Sequence, residues 1–392
     1  MAKLNLLMLN YEFPPIGGGA ANAHLCLLKQ YANNSDLKVD VLTSASQPGF
    51  FSENLAGNIT IYRVGVHKKN LHFWRKVEVI EWLAKAQLRY RRLLRENDYD
   101  LVHAFFGFPA GWLCYRSAKK LPYIISLRGS DVPGQHARLK LYYEVLGPTM
   151  FKPIWENAAA LVACSEGLKK RALSFFPSVE IDVIPNGVEL DRFYPPKTKE
   201  RQDLISAQAE PLKILTVGRL SVTKRVEMLI DAVELLQKDG CNVHLTIVGG
   251  GATEEKLRQI VSQRSLCDIV EITGRIDSEN IPEIYRQNDV FVSASMQEGM
   301  SNAMLEAMAS GLPIVTTYCE GVEELIADNG VVTEQADPGQ IANAIKKLAD
   351  DEKTRRRISI AARKQAQKFS WKSVAENYLI HYRNIMETAT RN

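Results

Sequence analysis

Short apolar runs separated by stretches of helical period dominate the first half of the chain. Runs of strand character occupy Leu4 to Leu9, Val39 to Thr43, Ile59 to Val64, Leu101 to Phe105, Tyr123 to Leu127, Ala160 to Cys164 and Ile181 to Ile184. Between several of them, as in Ala20 to Tyr31 and Val77 to Arg95, apolar residues recur every three or four positions, the spacing of a helix with one buried face. Strands that alternate with helices are joined by crossovers, so this half predicts a parallel sheet. Turn formers and prolines then concentrate in Pro185 to Lys197, and polar residues continue to about Pro211, which marks a domain junction. Beyond it the alternation restarts with strands at Lys213 to Val217, Val243 to Val248, Ile269 to Thr273, Val290 to Ser293 and Pro313 to Thr316. Asp337 to Lys368 reads as helices rich in Lys, Arg and Ala, and Ser370 is placed to cap a last amphipathic helix. The expected architecture is α/β: two Rossmann-like, doubly wound parallel-sheet domains, 1–190 and 191–369, facing a central cleft, with helix 370–392 packed back onto the first.

A length of 392 residues agrees with two domains of this size, and 46% hydrophobic with 24% charged residues is the composition of a globular protein. No apolar run approaches the roughly 18 residues needed to span a bilayer. Lys3 precedes an apolar patch, but Asn5 breaks it, it ends at Leu9, and Tyr11-Glu12-Phe13-Pro14-Pro15 stands where a cleavage site would be. A first strand is therefore expected there instead of a secretory leader. The six cysteines show no CxxC spacing, which argues against a disulfide framework or a zinc site and suits a cytoplasmic protein.

The net charge of +4 hides an asymmetry, since residues 1–190 carry 23 Lys/Arg against 16 Asp/Glu and the remainder carries 26 against 29. Ten basic and two acidic residues lie between Arg63 and Arg95, interleaved with Trp74, Trp82 and Tyr90. That stretch reads either as a solvated helical face or as a contact for an anionic partner, such as the inner face of a membrane or a lipid diphosphate. No nucleic-acid recognition motif accompanies it, so nucleic-acid binding is not expected.

The most informative segment is Glu298-Gly299-Met300-Ser301-Asn302-Ala303-Met304-Leu305-Glu306, between the strand ending near Ser293 and the strand from Pro313. A helix over Asn302 to Ala309 leaves Glu298 in the preceding loop and Glu306 about one turn inside. The amides of Met300, Ser301 and Asn302 would then point out of the helix start at a strand's carboxyl end, a suitable cradle for a diphosphate. Two flanking carboxylates can accept hydrogen bonds from sugar and ribose hydroxyls. The same spacing also fits an ordinary surface glutamate and a loop charge.

This segment, of the form EGxxxxxLEAMAxGxP, resembles the donor-binding signature of the family 4 glycosyltransferases, which have the GT-B fold. Val217-Gly218-Arg219-Leu220-Ser221-Val222-Thr223-Lys224 resembles that family's GRLxxxK segment. Ile184 to Phe193 is similar to its interdomain linker, and Pro14-Pro15-Ile16-Gly17-Gly18-Gly19 to the glycine loop after its first strand. With the closing Phe369-Ser370-Trp371 helix the resemblance covers nearly the whole chain. It implies a retaining transferase with an amino-terminal acceptor domain and a carboxyl-terminal donor domain, the two closing on the substrates. Its donor would be a nucleotide diphosphate sugar, with UDP expected before GDP, and its acceptor a lipid-linked or glycan hydroxyl.

Under that resemblance Arg219 and Lys224 supply fixed positive charge to the leaving diphosphate, the task a Mg²⁺ ion performs in other transferases. No metal or other cofactor is then expected, because the nucleotide sugar is itself a substrate. Glu306 is assigned to the ribose, Glu298 to the donor sugar, and the Gly274-Arg275-Ile276 turn to the nucleobase. Gly18 and Gly19 in the first glycine loop, with Gly218 and Gly250, would let backbone approach the donor without a Cβ in the way. For Gly249-Gly250-Gly251 a tight turn and a ligand contact stand as equal readings.

One position departs from the family pattern. Many relatives carry a His-Gly-Ser/Thr-Asp stretch after the strand expected at Tyr123 to Leu127, and here it is Arg128-Gly129-Ser130-Asp131. Arg128 can still hydrogen-bond a sugar or a phosphate, but it cannot shuttle protons at neutral pH. His103, placed at a strand end, becomes a secondary catalytic candidate, although such a histidine is more often structural. Asp98-Tyr99-Asp100 imitates a DxD metal motif, yet it precedes a strand and so lies at the amino end, away from the ligand face. A nucleotide-sugar epimerase or phosphorylase of the same fold, and a noncatalytic nucleotide-sugar-binding protein, are the competing classes.

Overall fold

The computed structural model describes residues 3–117, 121–134, 146–196 and 210–391. The polar end of the expected junction, residues 197–209, lies outside them. The chain forms two compact units, Met1–Asn186 with Trp371–Asn392, and Gly187–Ser370.

The first unit is built on eight strands: β1 (Leu4–Leu9), β2 (Leu37–Ala45), β3 (Phe50–Ala56), β4 (Ile59–Gly65), β5 (Leu101–Phe105), β6 (Tyr123–Leu127), β7 (Ala160–Ala163) and β8 (Asp182–Val183). They lie in the order β3-β4-β2-β1-β5-β6-β7-β8. Every neighbouring pair is parallel except β3 with β4, which are antiparallel. The central strands are apolar runs because helices cover both faces of such a sheet. Leu6 to Leu9 of β1 are accordingly fully buried. Chain order reverses between β1 and β5, the place where loops at the carboxyl ends diverge. The helix Trp371–Arg391 joins this unit, burying Val374, Ala375, Tyr378 and Tyr382.

The second unit holds β9 (Leu212–Val217), β10 (Val243–Val248), β11 (Val270–Gly274), β12 (Val290–Ser293), β13 (Ile314–Thr317) and β14 (Gly330–Thr333). All are parallel, in the order β11-β10-β9-β12-β13-β14, so the reversal falls between β9 and β12. The helix Val226–Lys238 buries Val226, Leu229, Ile230, Val233 and Leu236, the three-and-four spacing of one covered face.

Two strands escape the hydrophobic pattern. β3 is an edge strand exposed from Phe50 through Leu55, so no buried face imposes alternation on it. The two-residue Gly57-Asn58 turn before β4 is the signal that marks this hairpin. β14 is only four residues long and half-buried at the other sheet's edge.

The basic stretch also differs from the expected picture. Trp82 and Tyr90 are buried in the core and do not interleave with surface cations. The Lys68 ammonium is buried against the Glu78 carboxylate at 2.8 Å, and Lys85 pairs with Glu81 at 2.6 Å. What the helix Lys76–Glu96 turns outward is an apolar stripe, Val77, Ile80 and Leu88, each more than three-fifths exposed, which continues into exposed Arg91 and Arg95.

Candidate active site

In the second unit the carboxyl-end loops of β9, β10 and β11 are laced by backbone hydrogen bonds. Gly218 N–H donates to Val248 O at 3.0 Å, Leu220 N–H to Gly250 O at 3.1 Å and Gly249 N–H to Gly274 O at 2.8 Å. A Cβ on Gly249 would sit 1.8 Å from Gly218 O, and one on Gly251 would sit 2.1 Å from Leu220 O. These two glycines therefore serve close backbone approach, which decides the tight-turn reading for them. Gly250 is different, since the atoms nearest its Cβ would be side-chain ones, Arg275 Nε at 3.1 Å and Glu254 Oε2 at 3.2 Å. Arg275 is exposed and Ile276 half-buried just past the end of β11.

Across the switch point, β12 runs into the loop 294–301 and the helix Asn302–Ala309. The Ser301 hydroxyl accepts from Met304 N–H at 3.3 Å, which caps the helix and fixes its start. Lys224 donates to the Glu298 carboxylate in an ion pair whose side chains are 26% and 14% exposed. A Cβ on Gly218 would lie 4.0 Å from Lys224 Nζ. Gly218, Arg219, Lys224 and Ser301 share the wall of one small cavity with Thr216, Val217, Leu220, Val226, Val248, Phe291, Ser293 and Ser295. The Arg219 side chain is exposed. Gly299, Met300 and Asn302 connect Glu298 and Ser301 to the helix, with Met300 buried.

Glu306 lies in the second turn of that helix, its carboxylate accepting from the Tyr285 hydroxyl at 2.9 Å. Burial raises its pKa to about 7, with the Tyr285 hydrogen bond and the Arg192 charge opposing the rise and Glu189 adding to it. Tyr285 has no exposed surface, and no sequence motif marked it. Arg225 is likewise unmarked: it has a left-handed backbone with φ 48°, and its guanidinium reaches Ala294 O at 2.6 Å.

The first unit places its candidates differently. His103 is the third residue of five in β5, so it does not stand at a strand end. It is fully buried, with Nδ1 2.7 Å from the Tyr382 hydroxyl and Nε2 2.7 Å from the Ser126 hydroxyl. Burial pushes its pKa well below the ordinary histidine value, and the Arg128 charge pushes the same way. The catalytic expectation for His103 is corrected accordingly: both ring nitrogens are occupied in the core.

Arg128 donates from Nη1 to Asn186 Oδ1 at 2.7 Å, and its guanidinium carbon stands 4.4 Å from the centre of the Phe105 ring. Its Nη2 reaches the Tyr378 hydroxyl at 3.5 Å. These contacts lie within its own unit, and the guanidinium's Nε is left without a hydrogen-bond partner among the described residues. Asp131 accepts from Gly107 N–H at 2.7 Å, Arg128 N–H at 2.9 Å and Gly129 N–H at 3.0 Å, so the Arg-Gly-Ser-Asp turn is closed on its own carboxylate.

In the first glycine loop, Gly17 N–H donates to Leu71 O at 2.8 Å and Gly17 O lies 2.7 Å from His72 Nδ1. Gly18 follows with open space where a Cβ would stand, and Gly19 is exposed at the start of the helix Gly19–Tyr31. At the amino end of β5, Asp100 accepts from Asn5 N–H at 2.7 Å, a strand-start contact.

Paired Rossmann-like units with a cationic cavity at the second switch point define a GT-B protein. The solved sucrose-phosphate synthase of Thermosynechococcus elongatus has this fold, with a TM-score of 0.82 at 21% identity over 98% of this chain and 100% of that one. Anabaena HepE, solved with UDP and glucose, matches with a TM-score of 0.72 at 19% identity over 96% of this chain and 99% of its own. The chain belongs to the group 1, family 4 glycosyltransferases: the model for glycosyl transferases group 1 matches residues 197–365, and that for glycosyltransferase family 4 matches residues 17–192. Among curated relatives it is 29% identical to the D-inositol 3-phosphate glycosyltransferase of Paenarthrobacter aurescens, over 98% of this chain and 97% of that one.

Proposed function

We propose that this glycosyltransferase retains the donor's anomeric configuration, transferring a hexose or N-acetylhexosamine from a UDP-sugar, with a GDP-sugar as the next candidate. The observation that carries the reading is the convergence of Arg219, Lys224 and the capped start of the helix Asn302–Ala309 on one cavity at the β9/β12 switch point. Two cations and a helix start favour a diphosphate in both ground and transition state, and most where leaving-group charge develops. As the bond from the anomeric carbon to the diphosphate breaks, the acceptor hydroxyl forms the new bond on the same face, and its proton passes to a phosphate oxygen of the leaving group. Glu298 would exchange part of its contact with Lys224 for the donor sugar's hydroxyls, and Glu306 would accept from the ribose. Gly250, Arg275 and Ile276 are the contacts proposed for the base. UDP is preferred partly because a neighbour of the same fold was solved with UDP and glucose.

The test is a melting-temperature screen with UDP-glucose, GDP-mannose and ADP-glucose, each with and without EDTA. Stabilisation by one donor, unchanged by EDTA and absent from Arg219→Ala/Lys224→Ala, is expected of a metal-independent site needing no further cofactor. Stabilisation that vanishes with EDTA, or survives the double substitution, overturns it.

The acceptor proposed is a lipid-linked or glycan hydroxyl presented at an anionic membrane surface on the cytoplasmic side. None of the described helices is long and apolar enough to cross a membrane. Support comes from the exposed stripe Val77, Ile80 and Leu88 with Arg91 and Arg95, apolar side chains and cations on one helical face. Flotation with liposomes containing phosphatidylglycerol should retain the protein and lose Ile80→Asp/Leu88→Asp. Equal retention of both proteins removes the membrane from the proposal.

A further inference from the structure

We infer that Arg225 is a positioning residue that sets how Lys224 meets Glu298 and the leaving diphosphate. The inference rests on the donor-site reading above but concerns a residue to which that reading gives no role.

Arg225 has φ 48° and ψ 40°, a left-handed conformation that a side chain with a Cβ adopts at a cost. Lys224 N–H donates to Ser221 O at 3.0 Å and Arg225 N–H to Val222 O at 3.2 Å, so the pair closes a single tight turn before the helix Val226–Lys238. The left-handed residue is what lets the chain pass directly from that turn into the helix.

The side chain explains why an arginine occupies such a position. Its Nε donates to Ala294 O at 2.6 Å, and its Nη2 reaches Ser295 O at 3.4 Å and the Thr317 hydroxyl at 3.2 Å. These three acceptors stand just past the ends of β12 and at the end of β13, and all three residues are buried. From the same turn, Thr223 O accepts from Met296 N–H at 2.8 Å. One guanidinium and one backbone bond thus tie the turn carrying Lys224 to the loop carrying Glu298. A planar fork with several fixed donors can hold acceptors on two strands at once, which a lysine ammonium on a flexible stem cannot do with the same geometry. Lys224 and Val226, the residues on either side of Arg225, are both part of the cavity wall. Arg225 therefore acts through its neighbours.

The experiment compares Arg225→Gly, Arg225→Lys, Lys224→Ala and Lys224→Ala/Arg225→Gly. Glycine relieves the left-handed backbone while removing the fork, and lysine keeps the charge if the glycine chain proves too unstable to assay. Acceptor-free hydrolysis of UDP-glucose, GDP-mannose and ADP-glucose is followed as release of the nucleoside diphosphate, and kcat and KM are taken for the fastest donor. Arg225→Gly is expected to lower kcat by about 10- to 100-fold through misplacement of Lys224, with KM within threefold. Arg225→Lys should fall between that variant and the parent. The double variant should be no slower than Lys224→Ala, because a residue that works through Lys224 has nothing left to position. If Lys224→Ala is crippled while Arg225→Gly keeps its kcat within twofold, or if the two losses multiply, the positioning role is overturned and the donor site stands. If Lys224→Ala itself keeps the parent's kcat, the donor-site reading is overturned and the positioning role goes with it.

Discussion

The two sheets bring comparable loops to comparable places, and the side chains there differ in what they hold and in what they leave open. Within β5, His103, and just past the end of β6, Arg128 and Asp131, all hold partners inside the first unit. His24 beside them is fully buried, stacked 4.2 Å from Phe105, and its pKa is lowered to about 3 by burial and by the Arg128 charge. At the ends of β9 and β12, by contrast, Arg219 is exposed and Lys224 and Ser301 line a cavity. A switch point in an α/β sheet says where a ligand can bind. Whether the polar groups there are already satisfied bears on what kind of ligand each place can take, and the second lines a cavity with two cations, Arg219 and, beside its Glu298 partner, Lys224.

The largest effect that can break this contrast is expected at Lys224. Removing one preorganised donor to developing negative charge costs about 10²- to 10³-fold in kcat. Lys224→Ala should therefore lower transfer from the donor chosen by the melting screen by that factor, measured as nucleotide release in steady state. A loss below fivefold would mean that the cavity does not hold the leaving group.

A smaller effect is expected at His103, and on stability instead of catalysis. His103→Leu leaves the buried hydroxyls of Tyr382 and Ser126 without their shared partner, at about 1–3 kcal/mol. Denaturant unfolding should show that loss, while the affinity for nucleotide measured by calorimetry stays within twofold. A proton-transfer role would instead appear as a lost limb in the pH–rate profile of a stable variant.

How far the sequence carries this comparison depends on what each residue signals. Buried strands write themselves as apolar runs, which is why β1, β5, β6, β10 and β12 have the bounds the pattern predicts. The helix Asn302–Ala309 also has the bounds expected of it, and the structure shows its start fixed by the Ser301 cap. Edge strands such as β3 carry no such record, because nothing covers them. Among site residues, Lys224 was legible through motif resemblance and Glu298 also from its place before the helix, but their contact, spanning seventy-odd positions, was not. The partners of Arg128 and His103 were not legible for a shared physical reason: a side chain's partners are tertiary, and Asn186, Tyr378 and Tyr382 come from distant segments. Tyr285 and Arg225 gave no signal, one being an ordinary core aromatic in pattern and the other a surface cation.

Glu306 sharpens the contrast through pH. Its pKa is raised from 4.5 to about 7, chiefly by burial, so the folded protein holds this proton more tightly than the unfolded chain does. The sign follows: the contribution of Glu306 to unliganded stability is greatest below pH 4.5 and is lost as pH rises through about 7. Glu306→Gln should remove that part of the pH dependence of unfolding. Binding runs the other way if the ionised carboxylate accepts from ribose hydroxyls. UDP affinity should then fall about tenfold between pH 8 and pH 6, a change that Glu306→Gln flattens. Parallel profiles for the two proteins would assign the pH dependence to another group.

The smallest expected effect concerns Arg128, and it is the most discriminating because Arg128 and Lys224 carry the same formal charge. Arg128 is fixed over Phe105 and bonded to Asn186, so a bound nucleotide would have to compete with partners it already has. A guanidinium that stays held in that way and does not bond the phosphate acts on it only through a screened field. Arg128→Gln should thus change UDP affinity by less than twofold at 0.15 M salt, against the large loss at Lys224, while lowering the melting temperature through the lost Asn186 contact. Should the affinity fall tenfold or more in a variant that still melts cooperatively, Arg128 must leave Phe105 and Asn186 when the nucleotide binds. The first unit would then contribute charge to the donor after all, and the difference between the two switch points would belong to the unliganded protein alone.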